Sequence, residues 1–286
     1  MRKLWKQLAA TLLCLSGCSA PPPSGGIFHW AVYYDDALPA KAFENLDLVV
    51  FDRKHYPAFE SLKGNTIVLA YVSIGEVHGG TPDQHTLEEQ GLILEHNTKW
   101  NSYVVDVTSS TWRQLVLGKV DDAVAKGFDG VMLDTADSPL YYAETKTPAR
   151  LNEVREALAS LIQAMRREHP TLKIMVNRGF SLLPMVAEDI DYVLAESIHT
   201  NSNVSTGQFG LNPRNSYTRA AKQLHDLGAL APRLKIFTLD YWNMDDVNGL
   251  ERIYAVQRKQ GFIPYVSTPD LRTFTPEPVS MRRHRS

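Results

Sequence analysis

A single (β/α)8 barrel is the fold class that this sequence predicts, and three observations carry the prediction. Eight short runs of aliphatic, β-branched and aromatic residues alternate with polar or amphipathic stretches over about 240 residues, the length such a barrel needs. No second linker and no internal repeat divides them. The 286 residues are 44% hydrophobic and 22% charged, a composition that supports one sizeable core and excludes collagen-like, disordered and polytopic membrane classes. A doubly wound open sheet is the rival that the same alternation allows.

The strand candidates are Phe28–Tyr34, Leu46–Phe51, Thr66–Ser73, Gly130–Leu133, Lys173–Val176, Tyr192–Ala195, Lys235–Leu239 and Phe262–Val266. Helical periodicity is clearest at Thr111–Lys126, Leu151–Glu168, Tyr217–Leu227 and Asp245–Lys259. In the second of these, Leu158, Leu161, Ile162 and Met165 share one face, and His169-Pro170 ends the helix. Gly127, Gly130 and Gly261 mark turns back into strands. Tyr103–Val107 is an additional extended segment, either edge structure or part of a barrel loop. Ile198–Pro213, rich in Asn, Ser and Gly, reads as a loop that shapes a groove.

The chain begins with Arg2, Lys3 and Lys6, then the apolar run Leu8 to Leu15, then Ser16-Gly17-Cys18. A basic start, a short apolar run and small residues describe a secretory signal, and the run is too short to span a bilayer. Leu15-Ser16-Gly17-Cys18 resembles a bacterial lipobox, in which the Cys is lipidated; an ordinary signal with an incidental Cys is the alternative. On the lipobox reading, residues 1–17 are removed and 18–26 form a Pro/Gly tether to the membrane. The barrel then spans 27–275, and 276–286 is a basic tail. Ser19 points to the outer membrane and a periplasm-facing protein. Losing three cations leaves 27 Lys+Arg against 32 Asp+Glu, a net of −5 in place of −2. Such a chain is not built for nucleic acid, and a monomer is expected.

Acidic residues terminate most of the strand candidates: Asp35, Asp52, Glu76, Asp134, Glu196 and Asp240, with Asn177 and Arg178 closing the fifth. In a (β/α)8 barrel, C-terminal strand ends converge on one mouth, so acids scattered in sequence meet there. Asp and Asn after strands also initiate turns and cap helices, whereas Glu is a poor turn former, which singles out Glu76 and Glu196. Tyr33, Tyr34, Tyr71, Tyr141, Tyr241 and Trp242 lie beside these acids. Paired carboxyls with aromatic faces suit glycoside cleavage, where one carboxyl protonates the leaving oxygen and another attacks or activates water. No G-x-S-x-G elbow and no phosphate-binding glycine loop is present, and the nine His never adopt zinc-site spacing. A carboxylate cluster holding Mg²⁺ or Ca²⁺ is a weaker alternative, and no cofactor or metal is expected. A Schiff-base aldolase lacks its strand-end Lys.

Four blocks carry a family resemblance: Ala70-Tyr71-Val72-Ser73-Ile74-Gly75-Glu76-Val77, Gly127-Phe128-Asp129-Gly130-Val131-Met132-Leu133-Asp134-Thr135-Ala136-Asp137-Ser138, Val176-Asn177-Arg178-Gly179-Phe180 and Leu194-Ala195-Glu196-Ser197. Together they resemble the endo-α-1,4-polygalactosaminidase-like glycoside hydrolases, family 114 and the related hydrolase domain of the Pel-polysaccharide proteins. The resemblance implies a (β/α)8 barrel that cleaves α-1,4-linked galactosamine or N-acetylgalactosamine polymers. It further implies that Asp134 and Glu196 are the catalytic pair. Asp134 is assigned as nucleophile and Glu196 as acid/base, with the reverse left open. Asp35 and Glu76 are placed for sugar hydroxyls or amines, Asn177 and Arg178 for a hydroxyl or an acidic side chain, and Tyr71 for orienting a carboxylate. Tyr241 is assigned to substrate binding, and Asp240 either to substrate binding in a subsite or to a helix cap. Asp137 either lines a subsite or caps a helix. A non-catalytic polysaccharide-binding lipoprotein of the same fold is the second reading.

Overall fold

The computed structural model describes residues 29–203 and 206–278. The expected signal, Cys18, the tether, the domain start at Ile27 and most of the basic tail lie outside the described residues. In chain order the strands are β1 (Trp30–Tyr33), β2 (Leu48–Phe51), β3 (Ile67–Ser73), β4 (Glu76–His78), β5 (Ile93–Asn97), β6 (Ser102–Val105), β7 (Gly130–Asp134), β8 (Lys173–Asn177), β9 (Tyr192–Glu196), β10 (Thr200–Asn203), β11 (Gln208–Leu211), β12 (Lys235–Tyr241) and β13 (Ile263–Ser267). The α-helices are α1 (Pro82–Glu89), α2 (Ser110–Ala125), α3 (Asp137–Lys146), α4 (Leu151–Glu168), α5 (Leu183–Val186), α6 (Arg214–Leu230) and α7 (Val247–Lys259).

All eight expected strands form, and they make one parallel sheet in the order β1-β2-β3-β7-β8-β9-β12-β13, the nearly closed wall of a (β/α)8 barrel. The strand ends differ from expectation in an informative way. Asp134, Asn177 and Glu196 are the last residues of their strands, not the first residues beyond them, because each still pairs in the ladder: Asp134 with Ser73, Asn177 with Leu194 and Glu196 with Leu239. Alternation then decides which side chains enter the barrel. Trp30 packs on Phe237 and Tyr265 across the interior. Tyr33 turns outward onto Phe43 and Phe51.

Around the barrel, α4 buries Val154, Leu158, Leu161, Ile162 and Met165 against the sheet, the face that its periodicity predicts. Ser109 caps α2 by accepting the Thr111 N–H at 3.2 Å. Two helices, α1 and α3, carry no legible periodicity. In α1 only Gln84 and Leu87 are buried, and the helix is set by the Thr81 cap and Pro82 at its first turn.

Part of the Tyr103–Val107 segment is β6, the centre of an antiparallel sheet with β4 and β5 that stands on the mouth after β3. The Ile198–Pro213 segment is not a plain loop, since β10 and β11 pair as a hairpin within it.

The ladder stops between β13 and β1, and a strap of the chain covers that seam. Leu271 O accepts the Tyr34 N–H at 2.8 Å, Phe274 packs on Phe43, and the Thr275 hydroxyl donates to Val266 O at 2.6 Å. Glu277, whose side chain is 8% exposed, then pairs with His29 at 3.0 Å and Arg258 at 2.5 Å. The folded domain therefore runs past residue 275, into the segment expected to be tail. Breaking such a largely buried pair leaves unpaired charge. Glu277→Ala is expected to lower the unfolding free energy by about 3 kcal/mol, measured by urea titration. An unchanged midpoint would mean that the strap does not close the barrel.

Candidate active site

Three neighbouring strands build the centre of the mouth. β7, β8 and β9 are consecutive in the sheet and end in Asp134, Asn177 and Glu196. Each is followed by a non-glycine residue in the left-handed region: Thr135 at φ 64°, Arg178 at φ 55° and Ser197 at φ 52°. That conformation costs about 1 kcal/mol or more each, and most for a β-branched residue such as Thr135. Local contacts hold it. The Thr135 hydroxyl donates to Asp134 O at 2.6 Å and accepts the Gly75 N–H at 3.0 Å. A Cβ at Gly75 would lie 2.1 Å from Thr135 O, so only glycine permits this approach. The turns thus fall directly after residues that still pair in the ladder and whose side chains face the barrel interior.

Asn177 joins the two acids. Its Nδ2 donates to Asp134 Oδ1 at 2.8 Å and to Glu196 Oε2 at 2.7 Å, so those oxygens are at most 5.5 Å apart. The second oxygen of each acid takes a phenol: Tyr71 donates to Asp134 Oδ2 at 3.1 Å, and Tyr241 donates to Glu196 Oε1 at 2.8 Å. Asn177 is 2% exposed, and among the described residues its own Oδ1 has no hydrogen-bond partner. The amide cannot usefully flip, because Oδ1 would then face two carboxylates.

Neither acid has a Lys or Arg ion-pair partner among the described residues. Burial, then the charge of Glu196, pushes the Asp134 carboxyl up to about 7. Burial also holds the hydroxyls of Tyr34, Tyr71 and Tyr241 well above 10, so they stay protonated donors.

The remaining candidates divide. Arg178 lies against the site, donating through Nη1 to Glu196 O at 2.8 Å and through Nε to Asp137 at 2.8 Å. Asp240 does not line the mouth: alternation turns it out of the barrel, away from its inward neighbour Tyr241. It is 1% exposed and accepts from Gln257 of α7 at 2.6 Å and from Thr200 N at 2.9 Å. Glu76 is 5% exposed, and its carboxylate is spent inside the protein on Asn97, Ser102 and Ser138, where it ties β4, β5 and β6 to α3. Asp35 closes a turn by accepting the N–H groups of Asp36 and Ala37.

Of the aromatic residues, Tyr34 packs edge-on to Tyr71 beside the pair. Trp242 binds Asp246 at 2.9 Å, and Tyr141 is 66% exposed on α3. The stabilising roles of Thr135 and Gly75 and the Asp137–Arg178 pair were not legible; only the inward parity of Asp134, Asn177, Glu196 and Tyr241 could have been counted from the sequence. Among the described residues, no group of three or more His, Cys, Asp or Glu side chains is arranged to hold a metal ion.

Known proteins share this architecture. The glycoside hydrolase domain of PelA from Pseudomonas aeruginosa is 29% identical, with a TM-score of 0.77 covering 88% of this chain and 99% of that one. The Aspergillus fumigatus Ega3 structure, a complex with galactosamine, is 15% identical with a TM-score of 0.58, covers 87% of this chain and 94% of its own, and supports the fold. An uncharacterized protein of Deinococcus radiodurans is 24% identical over 93% of this chain and 97% of its own length. The sequence profile of glycoside-hydrolase family GH114 matches residues 15–282, and the chain is therefore a glycosidase belonging to that family.

Proposed function

We propose that the protein is an endo-acting hydrolase of α-1,4-linked galactosamine or N-acetylgalactosamine exopolysaccharide, with Asp134 and Glu196 as its carboxylate pair. The observation that carries this reading is the single Asn177 nitrogen bonded to both acids. It limits the nearest oxygens to 5.5 Å, which fits the roughly 5–5.5 Å of retaining glycosidases and not the wider gap, about 6.5–9.5 Å, that admits a water in inverting ones. The substrate class is supported by the likeness to the PelA hydrolase domain and to a barrel crystallised with galactosamine.

In the proposed reaction, an Asp134 oxygen attacks the anomeric carbon as the glycosidic C–O bond breaks, and Glu196 gives its proton to the leaving oxygen. Water then attacks the glycosyl ester, Glu196 takes a proton from that water, and the Asp134 carboxylate is released. Asn177 and Tyr71 stabilise the carboxylate when it leaves. Tyr241 and Asn177 hold Glu196. The raised Asp134 pKa favours a second reading in which the two roles are exchanged.

One experiment tests the pair and separates the readings. Polymer cleavage is expected to fall to background in Asp134→Asn and by about 10²–10⁴-fold in Glu196→Gln. With α-galactosaminyl fluoride, whose leaving group needs no proton, Glu196→Gln is expected to release a burst of fluoride from the first step and to turn over only when added azide replaces base-activated water, whereas Asp134→Asn does neither. The opposite pattern supports the exchanged roles, and full activity in both variants refutes the site.

The Asp134 shift also has a pH signature. A carboxyl whose folded pKa is raised adds stability that is fully present below its unfolded pKa and is lost as pH rises through about 7. Asp134→Asn is therefore expected to melt above wild type at pH ~8 and to lose that margin as pH falls below ~4, at about 2–4 °C per kcal/mol. Equal margins at both pH values would contradict the shift.

The proposal extends to location: a lipid anchor at Cys18 on the periplasmic side of the envelope, in the outer membrane. Its support is the Leu15-Ser16-Gly17-Cys18 sequence with Ser19 after it. Labelled palmitate is expected in the wild-type chain and absent from Cys18→Ala; label in both would refute the anchor.

A further inference from the structure

Tyr34 is unlike the other tyrosines at the centre of the mouth. It follows β1 and shares the inward parity of Trp30, whose ring meets Phe237 across the barrel. Its ring stands edge-on to that of Tyr71, centroids 5.2 Å apart at 64°, and Tyr71 in turn donates to Asp134. Tyr71 and Tyr241 spend their hydroxyls on the two carboxylates. The outward-facing Tyr33 spends its own on the Leu38 N–H at 3.2 Å. Among the described residues the Tyr34 hydroxyl has no hydrogen-bond partner, and the residue is partly exposed. Phenylalanine would make the same ring contact without an unpaired polar atom, so packing does not account for the hydroxyl. Burial, then the negative charge borne by its neighbours, keeps that hydroxyl protonated.

We propose that Tyr34 is a substrate-binding residue whose hydroxyl donates to a hydroxyl oxygen of the amino-sugar unit lying over Asp134 and Glu196. Its neighbours leave it one task. Tyr71 fixes Asp134, Tyr241 fixes Glu196, and Tyr34, one ring removed from the pair, is the phenol still able to meet a ligand. A phenol is suited to this because it donates or accepts without adding charge beside two acids.

The inference rests on the proposed function, and its test keeps the two apart. Tyr34→Phe in the full chain is expected to lower kcat/KM on α-1,4-galactosamine polymer about 5- to 30-fold, as for one lost hydrogen bond. The melting temperature and the pH dependence of kcat/KM are expected to stay unchanged. Tyr254→Phe, which removes an α7 hydroxyl that accepts the Val266 N–H at 3.3 Å, is expected to show the reverse: a lower melting temperature and wild-type kinetics. Kinetics of Tyr34→Phe within twofold of an active wild type would overturn the inference while leaving the function standing. If wild type does not cleave the polymer, the proposed function fails. Tyr34 is then judged by retardation in polymer-containing native gels, where equal mobility of wild type and Tyr34→Phe overturns it.

Discussion

The site depends on one amide. Two carboxylates about 5 Å apart repel by about 3 kcal/mol at an effective dielectric near 20, and among the described residues neither has a Lys or Arg ion-pair partner. Asn177 answers with both hydrogens of a single nitrogen, one to each acid. The arrangement is possible because β8 lies between β7 and β9, so the middle of three adjacent strand ends faces the outer two. It leaves Asn177 Oδ1 buried without a partner, a loss of about 1–3 kcal/mol that a purely structural position would have shed. Burial, then the repulsion that the amide does not cancel, lifts Asp134 towards neutrality, where a pair sharing one proton is useful.

The surrounding structure holds that geometry still. The left-handed turns at Thr135, Arg178 and Ser197 each take the chain away directly behind a site residue. Gly75 lets the loop after β3 press on the first of these turns, and the Arg178 guanidinium links the other two by reaching from its own turn to Glu196 O. Glu76 and Asp240 belong to this support. One anchors the small antiparallel sheet to α3, and the other fastens β12 to α7 and to the hairpin. Both are buried acids whose carboxylates are spent on protein groups.

The barrel was legible because strand runs and amphipathic helices follow local periodicity, as α4 shows by burying the face its sequence marks. The α1 helix was not, since its apolar contacts are too few to leave a period. The seam strap is a long-range arrangement: His29 and Glu277 stand at opposite ends of the described chain, and no local pattern links them. At the site, an acid at a strand end marked Asp134 and Glu196, which meet at Asn177, and equally Asp240, which does not join them, because end position says nothing about side. Parity does: Asp240 and Tyr241 are neighbours on opposite faces of β12, and the one without charge enters the barrel. Glu76 stands apart from the pair for a different reason, since its donors Asn97, Ser102 and Ser138 come together only when the segment after β3 folds back as a sheet.

A pair bridged this closely fits the retaining reaction that we propose and not one that admits a water between acid and sugar. Proton NMR of the first product released from α-1,4-galactosamine polymer reads it directly. Release of the α anomer, with the β anomer growing in only by later mutarotation, is the predicted result. Initial release of the β anomer would contradict it, because inversion needs the carboxyls farther apart than the Asn177 bridge allows.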